Sequence, residues 1–205
     1  MPRDKSKNHE KIINAAYEEF LEYGFKDASM RRIAAACDMS ASGLYKHFPS
    51  KEDMFAALVG PAYEGMIKEF FSMMDDEIAG IDKTFEKDMW KYNEETVWIL
   101  KYVYKHIKAF KLLVCRSQGT RYENYIHELA VLEEESTHKF ISKMEEVGIE
   151  VHMLPDKEYH LFITTNISAI FQPVEHDFTE EEALSYGKHL DSFYEYGWRH
   201  LMQEG

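Results

Sequence analysis

Between Ser40 and Phe48 the sequence reads Ser-Ala-Ser-Gly-Leu-Tyr-Lys-His-Phe, a short run dense in hydrogen-bonding and charged groups. If the run is helical, steps of about 100° put Leu44 and Phe48 on one inward face. Ser42, Gly43, Tyr45 and Lys46 then point outward, with Ala41 and His47 at the margins. Short residues and an unbranched cation form a surface thin enough for a duplex major groove, about 12 Å wide. Ser42 and Lys46 are therefore the candidate base-edge readers, and Gly43 lets the backbone come close.

Such a run needs a scaffold, and the flanking sequence supplies one. From Asn8 to Tyr23 the residues Ile12, Ile13, Ala16, Tyr17, Phe20 and Leu21 line one stripe of a helix that Gly24 stops. Ser29 is a plausible N-cap for a second, short helix carrying Met30, Ile33, Ala34 and Cys37 inward. Asp38 and Met39 make a tight connection, and Ser40 can cap the third helix. Two short helices joined by so short a turn have helix-turn-helix spacing. Pro49 ends the third helix, and Ser50 to Asp53 open a fourth in which Asp53 takes the carboxylate position of a capping box. Pro61 is expected to kink or end that fourth helix.

The stretch Ser29–Glu52, SMRRIAAACDMSASGLYKHFPSKE, closely resembles the signature of the TetR family of bacterial regulators. Ile-Ala, a turn ending in Ser, Leu-Tyr, His-Phe and then Pro-Ser-Lys-Glu fix many positions over two dozen residues. The likeness is strong over roughly residues 8–55 and only architectural beyond. One departure is Asp38, where the family usually has Gly; Asp tolerates the left-handed conformation better than most residues.

The resemblance implies that Arg31 reaches a base and that Ser29, Tyr45, His47 and Lys51 contact phosphates. Lys51 stands where a helix N-terminus already attracts an anion. Plainer roles stand beside these: Tyr45 packed on the first helix, His47 hydrogen-bonded in the core, Ser29 and Ser40 acting as caps alone. The expected partner is double-stranded DNA, and the expected function is a repressor released from a palindromic operator by a small-molecule effector. A DNA-binding structural protein whose body docks another protein is the rival reading.

Bulk composition agrees with a helical chain. Five prolines and ten glycines in 205 residues are sparse, and 45% hydrophobic residues can fill a core. The fold class expected is all-α, an N-terminal three-helix domain over residues 1–55 and a larger helical effector-binding and dimerisation domain over 56–205, with about nine helices in all. The net charge of −13 argues against a nucleic-acid partner until its distribution is considered. Residues 1–51 hold nine Lys/Arg against seven Asp/Glu, and the rest hold fifteen against thirty. Screening over roughly 8 Å lets a local basic face act despite a distant acidic body.

No apolar run approaches the ~20 residues of a membrane helix, and the first residues carry no apolar leader, so a cytoplasmic protein without membrane contact is expected. Cys37 and Cys115 have no CxxC spacing and read as buried thiols. No GxSxG elbow, HExxH, phosphate loop or dinucleotide motif occurs, so neither an enzyme nor a cofactor is expected.

Beyond the head, helical patterning runs through 66–74, 85–111, 122–147, 158–171 and 180–202, with breaks near Gly80, Gly119, Gly148–Pro155 and Pro173. Two apolar stripes stand out: Tyr159, Ile163, Ile167 and Ile170, then Leu190, Phe193, Tyr194, Gly197, Trp198 and Leu201. The resemblance implies a homodimer in which these last two helices pair with their copies across a two-fold axis; the alternative is that both stripes face the protomer's own core. The middle, with Trp90, Tyr92, Trp98, Tyr102, Tyr104, Phe110, Cys115 and the polar run Ser117–Asn124, has walls suited to an effector, though plain core packing is the favoured reading of each residue and none is assigned to a ligand. His127, Glu134 and His138 fall near one helical face and read as solvated surface, with no metal expected. The run Glu133–Glu135 also reads as a solvated face.

Overall fold

The computed structural model describes residues 5–81, 95–149 and 151–203. Among these lie nine α-helices and no strand. They are α1 (Lys5–Asp27), α2 (Met30–Ala36), α3 (Ala41–Tyr45), α4 (Lys51–Ala79), α5 (Glu95–Lys105), α6 (Ile107–Arg116), α7 (Tyr125–Glu146), α8 (Asp156–Glu175) and α9 (Glu180–Gln203). The chain is all-α with an N-terminal helix-turn-helix, as its patterning indicates.

Several helix limits differ from expectation. Gly24 breaks α1 at φ 71° and ψ 171°, as foreseen, but the chain resumes for one turn to Asp27. Pro61 does not end α4, which runs on to Ala79. The local loss, about 3 kcal/mol, is outweighed where Val59, Ala62, Tyr63 and Met66 are buried on both sides of it. Pro173 likewise lies inside α8 rather than after it. It has no N–H for the carbonyl of Ala169 four residues back, and the Tyr186 hydroxyl donates to that oxygen instead, at 3.1 Å. The helix expected over 85–111 is two helices parted at His106; its residues 85–94, with Trp90 and Tyr92, lie outside the described residues.

The chain forms two compact units, Met1–Gly65 with His106–Glu123 and Met66–Lys105 with Asn124–Gly205. In the first, Ile12, Ala16 and Phe20 of α1 meet Ile33, Leu44, Met54 and Phe55 in a core closed to solvent. Phe55 stands edge-on to Phe20 and Phe25, with ring centroids 5.2 and 5.7 Å away. Arg116 of α6 donates Nε to the Leu21 carbonyl at 2.7 Å, fastening α6 just before the Gly24 break. Phe110, Cys115 and residues 117–123 therefore belong with the head and not with the aromatic middle in which the sequence places them. Cys37 is buried, Cys115 is half-buried, and neither is in a disulfide.

In the second unit α5 lies along α9 and α7 along α8, with α8 also touching α9. Gly187 makes the α5–α9 approach possible: a Cβ there would stand 2.7 Å from Leu100 Cδ1, and Leu100 is fully buried. The ten residues of the two apolar stripes separate here. Tyr159, Ile163, Ile167, Ile170, Leu190 and Trp198 are buried within the single chain, at 5–9% exposure. Tyr194 and Leu201 are half-buried, and Phe193 and Gly197 are exposed. The apolar surface that does face solvent is Leu161, Phe162, Phe193 and Tyr196, at 67%, 44%, 71% and 76% exposure. A stripe read from sequence marks the most apolar face, and that face goes to the protomer's own core first.

The run Glu133–Glu135 is not a uniform solvated face either. Glu135 is exposed and Glu134 is bonded to His160 of α8 at 2.7 Å, whereas Glu133 turns into the unit and lines a cavity. His127 meets His160 ring to ring at 5.5 Å, and His138 is exposed. Among the described residues no three His, Cys, Asp or Glu side chains are grouped to hold a metal.

Candidate nucleic-acid interface

Within the first unit, α2 is fixed to α1 through one buried carboxylate. Glu19 is 8% exposed and accepts the Ser29 N–H at 2.7 Å and Arg32 Nε at 2.8 Å. Arg32 also donates to the Asp27 carbonyl at 2.8 Å, and its guanidinium lies 4.2 Å over the Tyr23 ring. Its N–H groups are thereby turned to the protein. Arg31, next in sequence, is exposed and makes no side-chain hydrogen bond or ion pair among the described residues. Two adjacent arginines are thus separated into a fastening and an available cation, a division that sequence alone does not supply.

The turn closes as a Schellman motif. Met39 N–H donates to Ala34 O at 2.9 Å and Asp38 N–H to Ala35 O at 3.1 Å, with Asp38 in the left-handed region at φ 55°. The non-Gly residue is accommodated by Lys11, whose Nζ lies 2.6 Å from its carboxylate and holds that group below its usual pKa. The turn survives the departure from glycine as expected.

Ser40 is the N-cap of α3, its Oγ accepting the Gly43 N–H at 3.1 Å. A Cβ on Gly43 would come within 3.2 Å of that same Oγ, so the glycine also serves the cap. Leu44 is fully buried and Phe48 nearly so, which turns the rest of α3 outward. Ser42, Tyr45, Lys46 and His47 are exposed, with Ala41 and Gly43 half-buried at the margin. Tyr45 is 47% exposed, so it does not pack on α1, and His47 is not a core histidine. Of these four, only Ser42 has a side-chain partner among the described residues, the Ser40 hydroxyl at 3.1 Å.

Ser29 is the N-cap of α2, as the simpler reading has it, with Oγ 3.5 Å from Arg32 N. Lys51 has a role the sequence did not disclose. Its Nζ donates to the carbonyls of Lys26 and Ala28 at 2.9 and 3.1 Å and stands 4.7 Å from the Phe25 ring centroid. Two of its three donors are therefore committed to the turn between α1 and α2. Ser50 begins α4, accepting the Asp53 N–H at 3.0 Å and donating its hydroxyl to the Asp53 carboxylate at 2.7 Å. The expected capping pair forms, with the serine hydroxyl taking the place of its backbone N–H.

The sequence model described as bacterial regulatory proteins, tetR family, matches residues 12–58, which hold α2, α3 and both caps. Over these residues the chain is similar to the head of that family. HTH-type transcriptional regulator UidR of Escherichia coli (strain K12) is 42% identical over 60 residues, covering 29% of this chain and 31% of UidR. The match thus spans about a third of that relative's length. Beyond the head the likeness is one of fold. The fatty acid degradation regulator FadR from Bacillus halodurans has a TM-score of 0.62 at 17% identity, covering 96% of this chain and 99% of that one. FadR from Bacillus subtilis, solved in complex with stearoyl-CoA, has a TM-score of 0.53 at 16% identity, covering 90% and 96%.

Proposed function

We propose that the chain is a sequence-specific DNA-binding transcriptional regulator whose α3 enters the major groove of a palindromic operator. The observation that carries this reading is the outward face of α3 and the turn that follows it, where Tyr45, Lys46 and His47 project around a fully buried Leu44. Ser42 and Lys46 read base edges, Arg31 reaches a base from the start of α2, and Ala41 and Gly43 keep the face slim. Tyr45, His47 and the remaining donor of Lys51 take phosphates, while Ser29 offers its hydroxyl beside the α2 N-terminus.

The reading head acts in a homodimer. Support comes from the exposed apolar side chains of α8 and α9, Leu161, Phe162, Phe193 and Tyr196, with nothing within 4 Å of a Cβ built on Gly197. A small residue in an apolar patch lets a partner helix come close. Two heads related by a two-fold axis require half-sites about 34–36 Å apart or a multiple of it.

Binding represses, and a small-molecule effector held in the second unit releases it; FadR from Bacillus subtilis, with stearoyl-CoA, is a protein of this fold that holds such a ligand. Enrichment of random duplexes on the purified protein tests the DNA reading. A palindrome with two matching half-sites is expected, and an unenriched pool overturns it.

A further inference from the structure

The second unit contains a cavity of about 50 Å³ between α4, α5, α7 and α8. Its walls are apolar and aromatic, Phe70, Phe71, Ile99, Leu129 and Phe171 among them, and Glu133 is the single ionisable residue in the lining among the described residues. Glu133 is closed in by protein yet keeps part of its surface, as a side chain bordering a void does. Glu95, at the start of α5, is half-buried. Neither carboxylate has a hydrogen bond or ion pair among the described residues.

Among the described residues the charges that bear on Glu95 are all negative: Glu133 of α7, Glu77 of α4 and Asp191 of α9. Burial, then this repulsion, pushes Glu95 up to about 8, and burial alone pushes Glu133 up to about 7. Burying ionisable groups without a counter-charge is unfavourable, and apolar side chains of similar volume would serve a plain core better. Among the described residues no positive charge offsets Glu95 or Glu133.

We propose that this cavity is the binding site for an apolar organic cation, its hydrocarbon part among the phenylalanines and its charged head against Glu133, the carboxylate that also bears on Glu95. The proposal deepens the effector reading and rests on it. Phe70 and Phe71, set edge to face at 5.3 Å, offer a ring face to the head as well as apolar wall. An anionic head would add a fourth like charge to those around Glu95 and is disfavoured in the same place. The cavity as it stands takes the head and a few methylenes, and a longer chain requires the unbranched Met66 side chain in its lining to turn aside.

Hexylammonium, hexan-1-ol and hexanoate share one tail and differ in head charge, so their binding to the full chain tests the proposal by calorimetry at pH 7.5. Hexylammonium is expected to bind at least about tenfold tighter than hexanol, and hexanoate weakest of the three; tenfold is about 1.4 kcal/mol. Glu133→Gln should abolish the preference for the cation while leaving hexanol binding in place, which shows that the cavity persists. Glu95→Gln should reduce the preference. Absence of hexylammonium binding, equal or tighter binding of hexanol or hexanoate, or an unchanged preference in Glu133→Gln overturns the assignment. If the preference is found but hexylammonium leaves operator affinity unaltered, the site stands and its role as the effector site fails.

Discussion

Arg32 of α2 reaches back to Glu19 of α1, its Nε 2.8 Å from Glu19 Oε1, and so sets the reading head on its first helix. Its neighbour Arg31 has no such tie. Adjacent residues of one type should therefore fail differently. Arg32→Ala leaves a buried carboxylate with only the Ser29 N–H and should lower stability by about 1–3 kcal/mol in denaturant titration. Arg31→Ala should leave stability within about 0.5 kcal/mol and weaken operator binding. Equal losses of stability would contradict the division.

Lys46 and Lys51 provide a second contrast. Lys46→Ala should change sequence preference in a binding-site selection if its exposed ammonium reads base edges as proposed. Lys51→Ala should weaken binding to every duplex alike, reduce the salt slope by about one and also lower the melting temperature, since two of its donors hold the carbonyls of Lys26 and Ala28. A Lys51→Ala protein with unchanged melting would count against the carbonyl contacts.

The α9 surface and the stripe beneath α8 should also part. Phe193→Asp and Tyr196→Asp lie on exposed positions and should halve the mass seen by light scattering with little change in protomer secondary structure. Ile163→Ala, 5% exposed in the single chain, should instead lose about 2–5 kcal/mol of stability. Unchanged mass in both surface variants would place the dimer contact elsewhere.

Glu95 and Glu133 carry a pH dependence of definite sign. Both bind a proton more tightly folded than unfolded, so their contribution to stability is complete below about 4.5 and is lost as pH rises through about 7 and 8. The ligand-free protein should melt lower at pH 9 than at pH 6, and Glu95→Gln with Glu133→Gln should flatten that slope. Parallel wild-type and variant profiles would refute the raised values. Glu77 and Asp191 also face Glu95, so the double variant, not the wild-type slope, isolates the effect.

Much of the head was legible because its signals are local. Ser29 and Ser40 cap helices, Asp38 takes the left-handed position, Gly24 breaks α1, and Leu44 with Phe48 forms the inward face, each within a few residues of the feature it sets. What stayed hidden depends on residues distant in sequence. Lys51 contacts carbonyls 25 and 23 positions earlier, and Pro173 is tolerated because Tyr186 from α9 supplies the missing donor. The burial of Glu133 is hidden for the same reason, since its neighbours Glu134 and Glu135 face a histidine and solvent. Apolar stripes on α8 and α9 show that a face is buried without showing what buries it, which is why Ile163 and Phe193 resemble each other in sequence and differ in the fold.

Fluorescence anisotropy of a duplex recovered by selection, titrated at low ionic strength without effector and challenged with random competitor DNA, tests the reading head most directly. Wild-type protein should hold the selected duplex against a hundredfold or so excess of competitor, with Lys46→Ala losing that discrimination. Release by competitor at equal ratio, or full discrimination in Lys46→Ala, would contradict recognition by the exposed face of α3.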